Sequence, residues 1–337
     1  MLNRAFTSYC MTFRPTGVFI RLSRTATFLM AAALSLNAIA QEKESVSDDD
    51  VDEVASIFSG YALNLQSLES YDLLIEMDKS WVSDQAPVSQ TLTYVRLMID
   101  RERQQYLSVE RATTQGWVRP GKEVETQRSD RLAGAISLDG DAALRLRPDL
   151  RFSSLSLEQS FSNMQDTPDI QNIGLFRFPA GFRAQKDEKR SAERKRLLAN
   201  INKIDLGDRQ FKVEFQVTDS RHRILLFDRT NMVPRSSTEW FTPQSGEPVI
   251  SWKESYFFSL HQGIRLPDKI VQERIQSKEI NSKKVFGTSI LIADFHWLRV
   301  NETLDDKYFT KKTLGDANLL LKLSSPTEES EQSKSQQ

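Results

Sequence analysis

The chain has 337 residues, with 45 Lys and Arg against 46 Asp and Glu, a formal net charge of −1 and a single cysteine. This charge balance argues against a nucleic acid or an anionic membrane as the main partner. One cysteine excludes a disulfide framework within the chain, so an ordinary hydrophobic core must hold the fold, and a chain of this length can build one.

The first forty residues have the features of a secretory signal peptide. Four arginines and no acidic residue accompany the small, apolar stretch 25–36, and residues 38–40 form a small-x-small cleavage site. The apolar stretch is shorter than the roughly 20 residues that span a bilayer. Cleavage is therefore favoured over an uncleaved anchor, and we expect no integral membrane span. The long positive region leaves either Met1 or Met11 as the start of translation.

Export changes the charge balance and indicates a compartment. Cleavage after residue 40 leaves 41 basic against 46 acidic residues, a formal charge of −5, and no cysteine. An exported chain of nearly three hundred residues without disulfides is more typical of a bacterial periplasm than of a small toxin or growth factor. We therefore expect a periplasmic or secreted protein that binds no nucleic acid.

An amphipathic helix followed directly by a strand opens the ordered part of the chain. Residues 41–48 are polar and acidic, which is typical of a flexible leader. Over 51–68 apolar residues recur every three or four positions, which predicts a helix with one buried face. Over 71–77 apolar and acidic residues alternate, with Leu74 as the exception, which predicts a strand with one buried face.

Most of the remaining chain has the pattern of antiparallel strands. The segment 91–99 carries apolar residues on both faces, so one face is expected to meet the core and the other a helix. The segment 211–217 alternates strictly and gives the clearest strand signal. Further strands are predicted at 222–227, 233–241, 248–258, 264–275 and 284–300. Short connections between so many strands favour one large antiparallel sheet, and such a sheet tends to curl.

The middle of the chain gives weaker signals. Short strands are predicted at 135–138 and 142–146 around an Asp139-Gly140 turn, and a short helix at 154–164. The segment 184–201 is dense in Lys, Arg and Glu and predicts a further helix. That helix has two interpretations, a solvated surface helix or a mobile lid that docks a partner.

No motif indicates a catalytic or metal site. The chain lacks a glycine-rich phosphate loop, a G-x-S-x-G elbow, an H-E-x-x-H helix and an EF-hand loop. The three histidines, His222, His261 and His296, are too widely spread for a local metal motif. The acidic stretch 139–141 is better explained as a turn than as a calcium loop. We therefore expect no enzymatic activity, no cofactor and no metal.

Aromatic residues recur on the predicted strand faces and on the first helix. Sequence leaves two interpretations of them open, a packed core or the lining of an apolar hollow between sheet and helices that accepts acyl chains. Under the second interpretation, the candidate ligand-binding residues are Phe58, Tyr61, Leu65, Phe211, Phe215, Trp252, Tyr256 and Trp297.

The order of elements and three short segments resemble a known family. The segments are LESY at 68–71, LPDKI at 266–270 and VNETLDDKYF at 300–309. They resemble segments of the periplasmic lipoprotein carriers, which have the LolA/LolB-like fold. The resemblance implies an α+β fold, with a large curled antiparallel sheet, or half-open β-barrel. An N-terminal amphipathic helix and helical insertions would cover the concave face of that sheet.

The resemblance also implies a domain organisation and a function. We expect a single half-barrel domain at 49–322, followed by a disordered tail at 323–337. We expect it to be a non-enzymatic protein that binds a hydrophobic small molecule, a lipid or a lipoprotein acyl chain, in the half-barrel. The alternative hypothesis is an envelope stress-sensing or protein-interaction module on the same fold, which contacts an envelope protein and transports no ligand.

Overall fold

The structure is a computed structural model that describes residues 46–83, 86–118, 129–139, 142–155, 170, 173–175, 192, 195–244, 246–280 and 282–325. The predicted signal peptide, residues 41–45 of the leader and the tail beyond residue 325 lie outside the described residues. So do the turn at 140–141 and most of the predicted helices at 154–164 and 184–201.

Helix α1 (Asp48–Gln66) confirms the predicted amphipathic helix. It begins after Ser47, whose hydroxyl accepts a hydrogen bond of 3.1 Å from the backbone N–H of Asp50. Three aspartates in the first turn complement the positive end of the helix dipole. One side of the helix is buried, formed by Val54, Ile57, Phe58, Tyr61, Ala62 and Leu65.

In the described residues, thirteen strands form a single antiparallel sheet. Their order is β6-β5-β4-β3-β2-β1-β13-β12-β11-β10-β9-β8-β7, so the first strand pairs with the last at the centre of the sheet. The predicted large antiparallel sheet is thus confirmed. The strands are β1 (Ser70–Ser83), β2 (Ala86–Asp100), β3 (Gln105–Val118), β4 (Ser129–Asp139), β5 (Ala142–Leu146), β6 (Phe152–Leu155), β7 (Ile201–Leu206), β8 (Gln210–Thr218), β9 (Arg221–Asp228), β10 (Val233–Phe241), β11 (Val249–His261), β12 (Ile264–Ile280) and β13 (Lys283–Val300).

Both faces of β2 are buried, as its sequence predicts. Leu97 and Met98 are consecutive, so they point to opposite faces of the sheet. Leu97 belongs to the main core cluster with α1, and its face is called the α1 face below. Met98 belongs to a second cluster on the opposite face, covered by C-terminal helices that the sequence did not predict. These are a 3-10 helix (Asp306–Phe309), α2 (Lys311–Gly315) and α3 (Ala317–Leu323).

Helix α1 crosses the strands instead of running along them. Near its start, Glu53 forms an ion pair with Arg229, just after β9. Near its end, Asn64 forms hydrogen bonds with the backbone of Arg265 in β12. The helix between these residues is about 17 Å long, and β9 and β12 lie three strand spacings apart, about 14 Å. The helix therefore lies across β9 to β12.

Two predicted helical insertions are wrong at their described ends. Residues 195–198 are helical, and Leu197 and Leu198 pack against the main core cluster, but Ile201 already belongs to strand β7, which pairs with β8. At 152–155 the chain forms strand β6, which pairs with β5, where the predicted helix at 154–164 would begin. In both places a strand at the sheet edge gains ladder hydrogen bonds that outweigh the local helical pattern.

Candidate functional site

The α1 face can be followed in rows, because residues paired across neighbouring strands share a face. The apolar row passes beneath α1 and contains Phe211, Phe227, Tyr256, Ile270, Ala293 and Met77. The mixed row comes next and contains Val213, Leu225, Ser237, Glu254, Gln272, Leu291 and Lys79. The polar row follows, with Phe215, Arg223, Glu239, Trp252, Arg274, Ser289 and Trp81. The face thus changes from apolar to polar with distance from α1.

Helix α1 packs directly onto the aromatic residues of the sheet. The rings of Phe58 and Phe227 lie 5.2 Å apart between centroids, and Tyr61 contacts Phe227 and Phe258 edge-on at 6.2 and 6.0 Å. Phe211 stacks on Phe227 at 5.2 Å. Between α1 and strands β8, β9 and β11, therefore, ring contacts occupy the interior.

The structure brings six of the eight predicted site residues into one cluster. These six are Phe58, Tyr61, Leu65, Phe211, Phe215 and Tyr256. Trp297 is half-buried at the edge of this cluster, where it packs against Tyr71 and donates a hydrogen bond of 2.9 Å from Nε1 to the Pro267 carbonyl. Trp252 is buried outside the cluster, in the polar row. A ligand-binding role for these residues stays a prediction.

Polar contacts tie α1 to the rest of the domain. The Tyr61 hydroxyl donates a hydrogen bond of 2.6 Å to the carbonyl of Ile173. Burial raises the pKa of Tyr61 far above its usual value, so this hydroxyl stays a donor. The Asn64 side chain donates to the Arg265 carbonyl at 2.8 Å and accepts from the Arg265 N–H at 3.0 Å. Together with the Glu53 ion pair, these contacts fix α1 at several points along its length.

Sequence reasoning missed a buried polar network beside the aromatic cluster. The guanidinium of Arg223 donates to Ser237 at 2.8 Å and lies 5.4 Å from the ring centre of Trp252. The carboxylate of Glu254 accepts hydrogen bonds from the Tyr256 hydroxyl and from Gln272. Burial, followed by the neighbouring Glu254 charge, raises the pKa of Tyr256 well above its usual value, so Tyr256 remains a donor. The network thus brings buried polar side chains together beside the aromatic cluster.

The network had a sequence signal that the aromatic pattern concealed. In the predicted strand 248–258, Trp252, Tyr256 and Phe258 share one face, and Glu254 has the same parity. A carboxylate at an inward position between two large aromatic residues indicates a buried partner. Arg223 gives the same signal in β9. It shares one face with Leu225 and Phe227, so a charged side chain lies at an inward position there.

The structure is similar to that of a LolA superfamily protein from Nitrosomonas europaea. The two chains are 14% identical over 77% of this chain and 98% of that chain, with a TM-score of 0.36. A DUF1329 family protein from Desulfovibrio piger is similar at 12% identity, over 77% of this chain and 98% of that one, with a TM-score of 0.34. No family model and no curated protein sequence matches the chain. Both likenesses concern the fold alone, at low sequence identity.

His261 lies in a cluster that superficially suggests a hydrolase. Its Nε2 is 2.7 Å from the Ser259 hydroxyl and 2.9 Å from a carboxylate oxygen of Asp268. In a catalytic triad the serine and the acid contact different ring nitrogens, so that the acid orients the ring while the serine gives up its proton. Here both contact the same nitrogen. Asp268 is therefore not placed to orient the ring of His261 for accepting a proton from Ser259, as the acid of a triad is.

In the described part of the chain, no helix is both long enough and apolar enough to cross a membrane. The His, Asp and Glu side chains of this part of the chain form no group of three or more that could hold a metal ion.

Proposed function

We propose that the chain is a non-enzymatic exported protein, periplasmic or secreted, that binds a hydrophobic ligand on the α1 face of its sheet. The ligand is a lipid or a lipoprotein acyl chain, and of the predicted aromatic set Tyr256, which pairs with Ile270, lies beside the proposed binding surface.

The observation that carries the proposal is the size of the apolar surface relative to its helical cover. The main core cluster on the α1 face draws residues from β1 to β4 and from β8 to β13. Helix α1, with 19 residues, is about 28 Å long and covers about six strand spacings at most. The apolar surface of the sheet is larger than α1 alone covers, and Ile170, Ile173 and Leu175 also belong to this cluster. The alkyl chain of a ligand would add to the cover, with a gain of about 0.8 kcal/mol for each methylene that it buries.

The part of the face best suited to an alkyl chain lies on β12, β13 and β1, away from the Phe58 contact. Ile270, Ala293 and Met77 are paired neighbours there in the apolar row. Ala293 is buried and has a small side chain, so it occupies little of the space above the sheet at this point. We place the ligand chain along this part of the row, with α1 as the element that moves to admit it.

Ligand content and uptake test the proposal together. The protein is purified from the envelope of the expressing cell, extracted with solvent and examined by mass spectrometry, and a delipidated sample is titrated with a fluorescent fatty acid. We expect a co-purifying lipid and saturable uptake. An empty protein that also takes up no fatty acid would contradict the proposal.

A matched pair of variants locates the binding surface. Ala293→Leu adds bulk to the apolar row and is expected to reduce uptake while leaving the protein folded. Phe257→Ala removes an exposed ring and is expected to leave uptake unchanged. If Ala293→Leu instead costs about 1 to 3 kcal/mol of stability, the typical effect of overpacking a filled core, the row has no room for a chain.

A second candidate function is the protein-interaction module, and an apolar patch on the opposite face favours it. Val82 and Ile275 both lie beside Thr288, and Phe286 lies two positions from Thr288 on the same face. They are 41%, 54% and 63% exposed, respectively. Such patches often mark contact sites. Ile275→Ser with Phe286→Ser is expected to abolish cross-linking to an envelope protein while fatty-acid uptake persists; unchanged cross-linking would remove this candidate.

A further inference from the structure

The end of the α1 face away from the helix carries a cluster of cations around a buried tryptophan. We propose that Lys79, Trp81, Arg274 and Lys278 form a subsite for an anionic group, a phosphate or a carboxylate, at the head of the bound ligand. This inference rests on the proposed function, because it assigns the polar end of the same ligand.

Trp81 is the centre of the subsite. Its side chain is buried, and its indole N–H has no hydrogen-bond acceptor in the part of the chain that the structure describes. The indole lies so close to Gly287 that a Cβ there would be 2.8 Å from two of its ring carbons. The ammonium of Lys278 lies 4.4 Å from the ring centre. A buried donor without an acceptor is costly, and an anion beside Lys278 would supply that acceptor.

Three cations share the face with this tryptophan. Arg274 and Trp81 both pair with Ser289, from opposite sides, and Lys79 precedes Trp81 by two positions on the same face. In the described residues none of the three cations forms an ion pair. Burial, followed by the charge of Lys79, lowers the pKa of Lys278 from its usual value, which indicates that the two ammonium groups repel each other. An anion between them would relieve this repulsion.

In the part of the chain that the structure describes, the acids of this face do not neutralise the cluster. Glu239 and Glu254 lie on β10 and β11, where Glu239 faces Arg221 at 3.8 Å and Glu254 is held by Tyr256 and Gln272. The positive charge on β12 and β1 is therefore local. It is available to a ligand.

The distance between the subsite and the apolar row suits an amphiphile. Met77, in the apolar row, and Trp81 lie on the same face of β1, four residues apart, which is about 13 Å. A chain of about ten methylenes spans such a distance when extended, at about 1.3 Å per bond by the geometry of carbon chains. A ligand with its tail in the apolar row can thus place an anionic head at Lys278 and Trp81.

Calorimetric titration of tail-matched ligands tests the subsite. Dodecyl phosphate, dodecanol and inorganic phosphate are titrated into the envelope-purified, delipidated protein. The variants are Lys79→Gln with Lys278→Gln, and Trp81→Phe, which keeps an aromatic ring at this position and removes the N–H. The control is Lys284→Gln, which removes one positive charge at the same end of β13 on the other face.

We expect the double variant to bind dodecyl phosphate about tenfold more weakly and Trp81→Phe about threefold more weakly, as charge-assisted hydrogen bonds are lost. Dodecanol binding by every variant, and dodecyl phosphate binding by the control, should match the wild type. Equal binding of dodecyl phosphate by the wild type and both variants would overturn the subsite. Inorganic phosphate binding as tightly as dodecyl phosphate would show a free-anion site and overturn the head-group assignment. If the wild type binds neither dodecyl ligand, the proposed function itself fails.

Discussion

Phe58 of α1 and Phe227 of β9 are in direct contact, with ring centroids 5.2 Å apart and planes inclined by 37°. This contact shows that the helix and the aromatic strands form a packed core where they meet. The aromatic residues near β9 are therefore core. The ligand site that we propose on the same face lies towards β13 and β1.

Truncating Phe227 tests the packed part of the face. Phe227 contacts Phe58, Tyr61 and Phe211, so Phe227→Ala should lower the free energy of unfolding by about 3 to 5 kcal/mol in urea denaturation. Phe257→Ala, on an exposed ring, should change it by less than about 0.5 kcal/mol. Similar effects of the two substitutions would contradict a packed core at Phe227.

Removing the Asn64 side chain should loosen α1. Asn64→Ala leaves the N–H and carbonyl of Arg265 without these partners, which should cost about 1 to 2 kcal/mol. Faster hydrogen exchange of the α1 amides and faster fatty-acid uptake should accompany the loss. Leu63→Ala, at an exposed position of the same helix, is the control. Unchanged exchange in α1 would show that Asn64 does not tether the helix.

The Asp228 carboxylate makes a pH-dependent contribution to stability. Although burial opposes it, hydrogen bonds from Asn231 and Arg235 lower the pKa of Asp228 below its ordinary value of 3.8. A lowered pKa means that the folded state favours the carboxylate, so the stabilisation is present at pH 7 and is lost as the pH falls through the folded pKa.

Asp228→Asn should therefore lower the free energy of unfolding at pH 7 by about 1 to 2 kcal/mol. The difference from the wild type should shrink as the pH falls below about 3.8, when the wild-type carboxyl also becomes neutral. Urea denaturation over this pH range measures it. A difference that does not depend on pH would show that the charge of Asp228 contributes nothing.

Gly287 is required for the position of Trp81. A Cβ at residue 287 would lie 2.5 Å from the Val82 carbonyl oxygen and 2.8 Å from the indole, so Gly287→Ala should cost about 1 to 3 kcal/mol and displace Trp81. Gly315→Ala is the control, because its Cβ would meet its nearest atom at an ordinary 3.6 Å. Wild-type stability together with an unchanged tryptophan emission spectrum in Gly287→Ala would contradict this close packing.

Helix α1 and strand β8 were predictable because their patterns and their tertiary environments agree. The buried residues of α1 repeat with the helical period, and Phe211, Val213 and Phe215 are buried as their alternation predicts. In such segments one face meets the core and the other meets solvent, so hydrophobicity alone identifies the face.

The C-terminal helices were not predictable to the same degree. Helices α2 and α3 have five and seven residues, too short to be stable without tertiary contacts. Their N-caps, Thr310 and Asp316, are visible in the sequence, but only the second apolar face of β2 and β3 explains why Leu314 and Leu320 are buried.

The polar part of the site was missed for a different reason. Glu254 and Lys79 lie at inward positions of strands whose other inward residues are apolar. In a prediction from hydrophobicity alone, such charged residues only interrupt the alternation of apolar and polar positions. The partner of Glu254, Gln272, lies on the neighbouring strand and is identified only when the register of the sheet is known.

Photochemical labelling with a fatty acid that carries a diazirine in its chain tests ligand binding on the α1 face most directly. After irradiation and proteolysis, we expect the label on peptides of β12, β13 and β1 that contain Ile270, Ala293 and Met77, with competition by unlabelled fatty acid. Label confined to the opposite face around Ile275 and Phe286, or no label that fatty acid displaces, would contradict a ligand site on the α1 face.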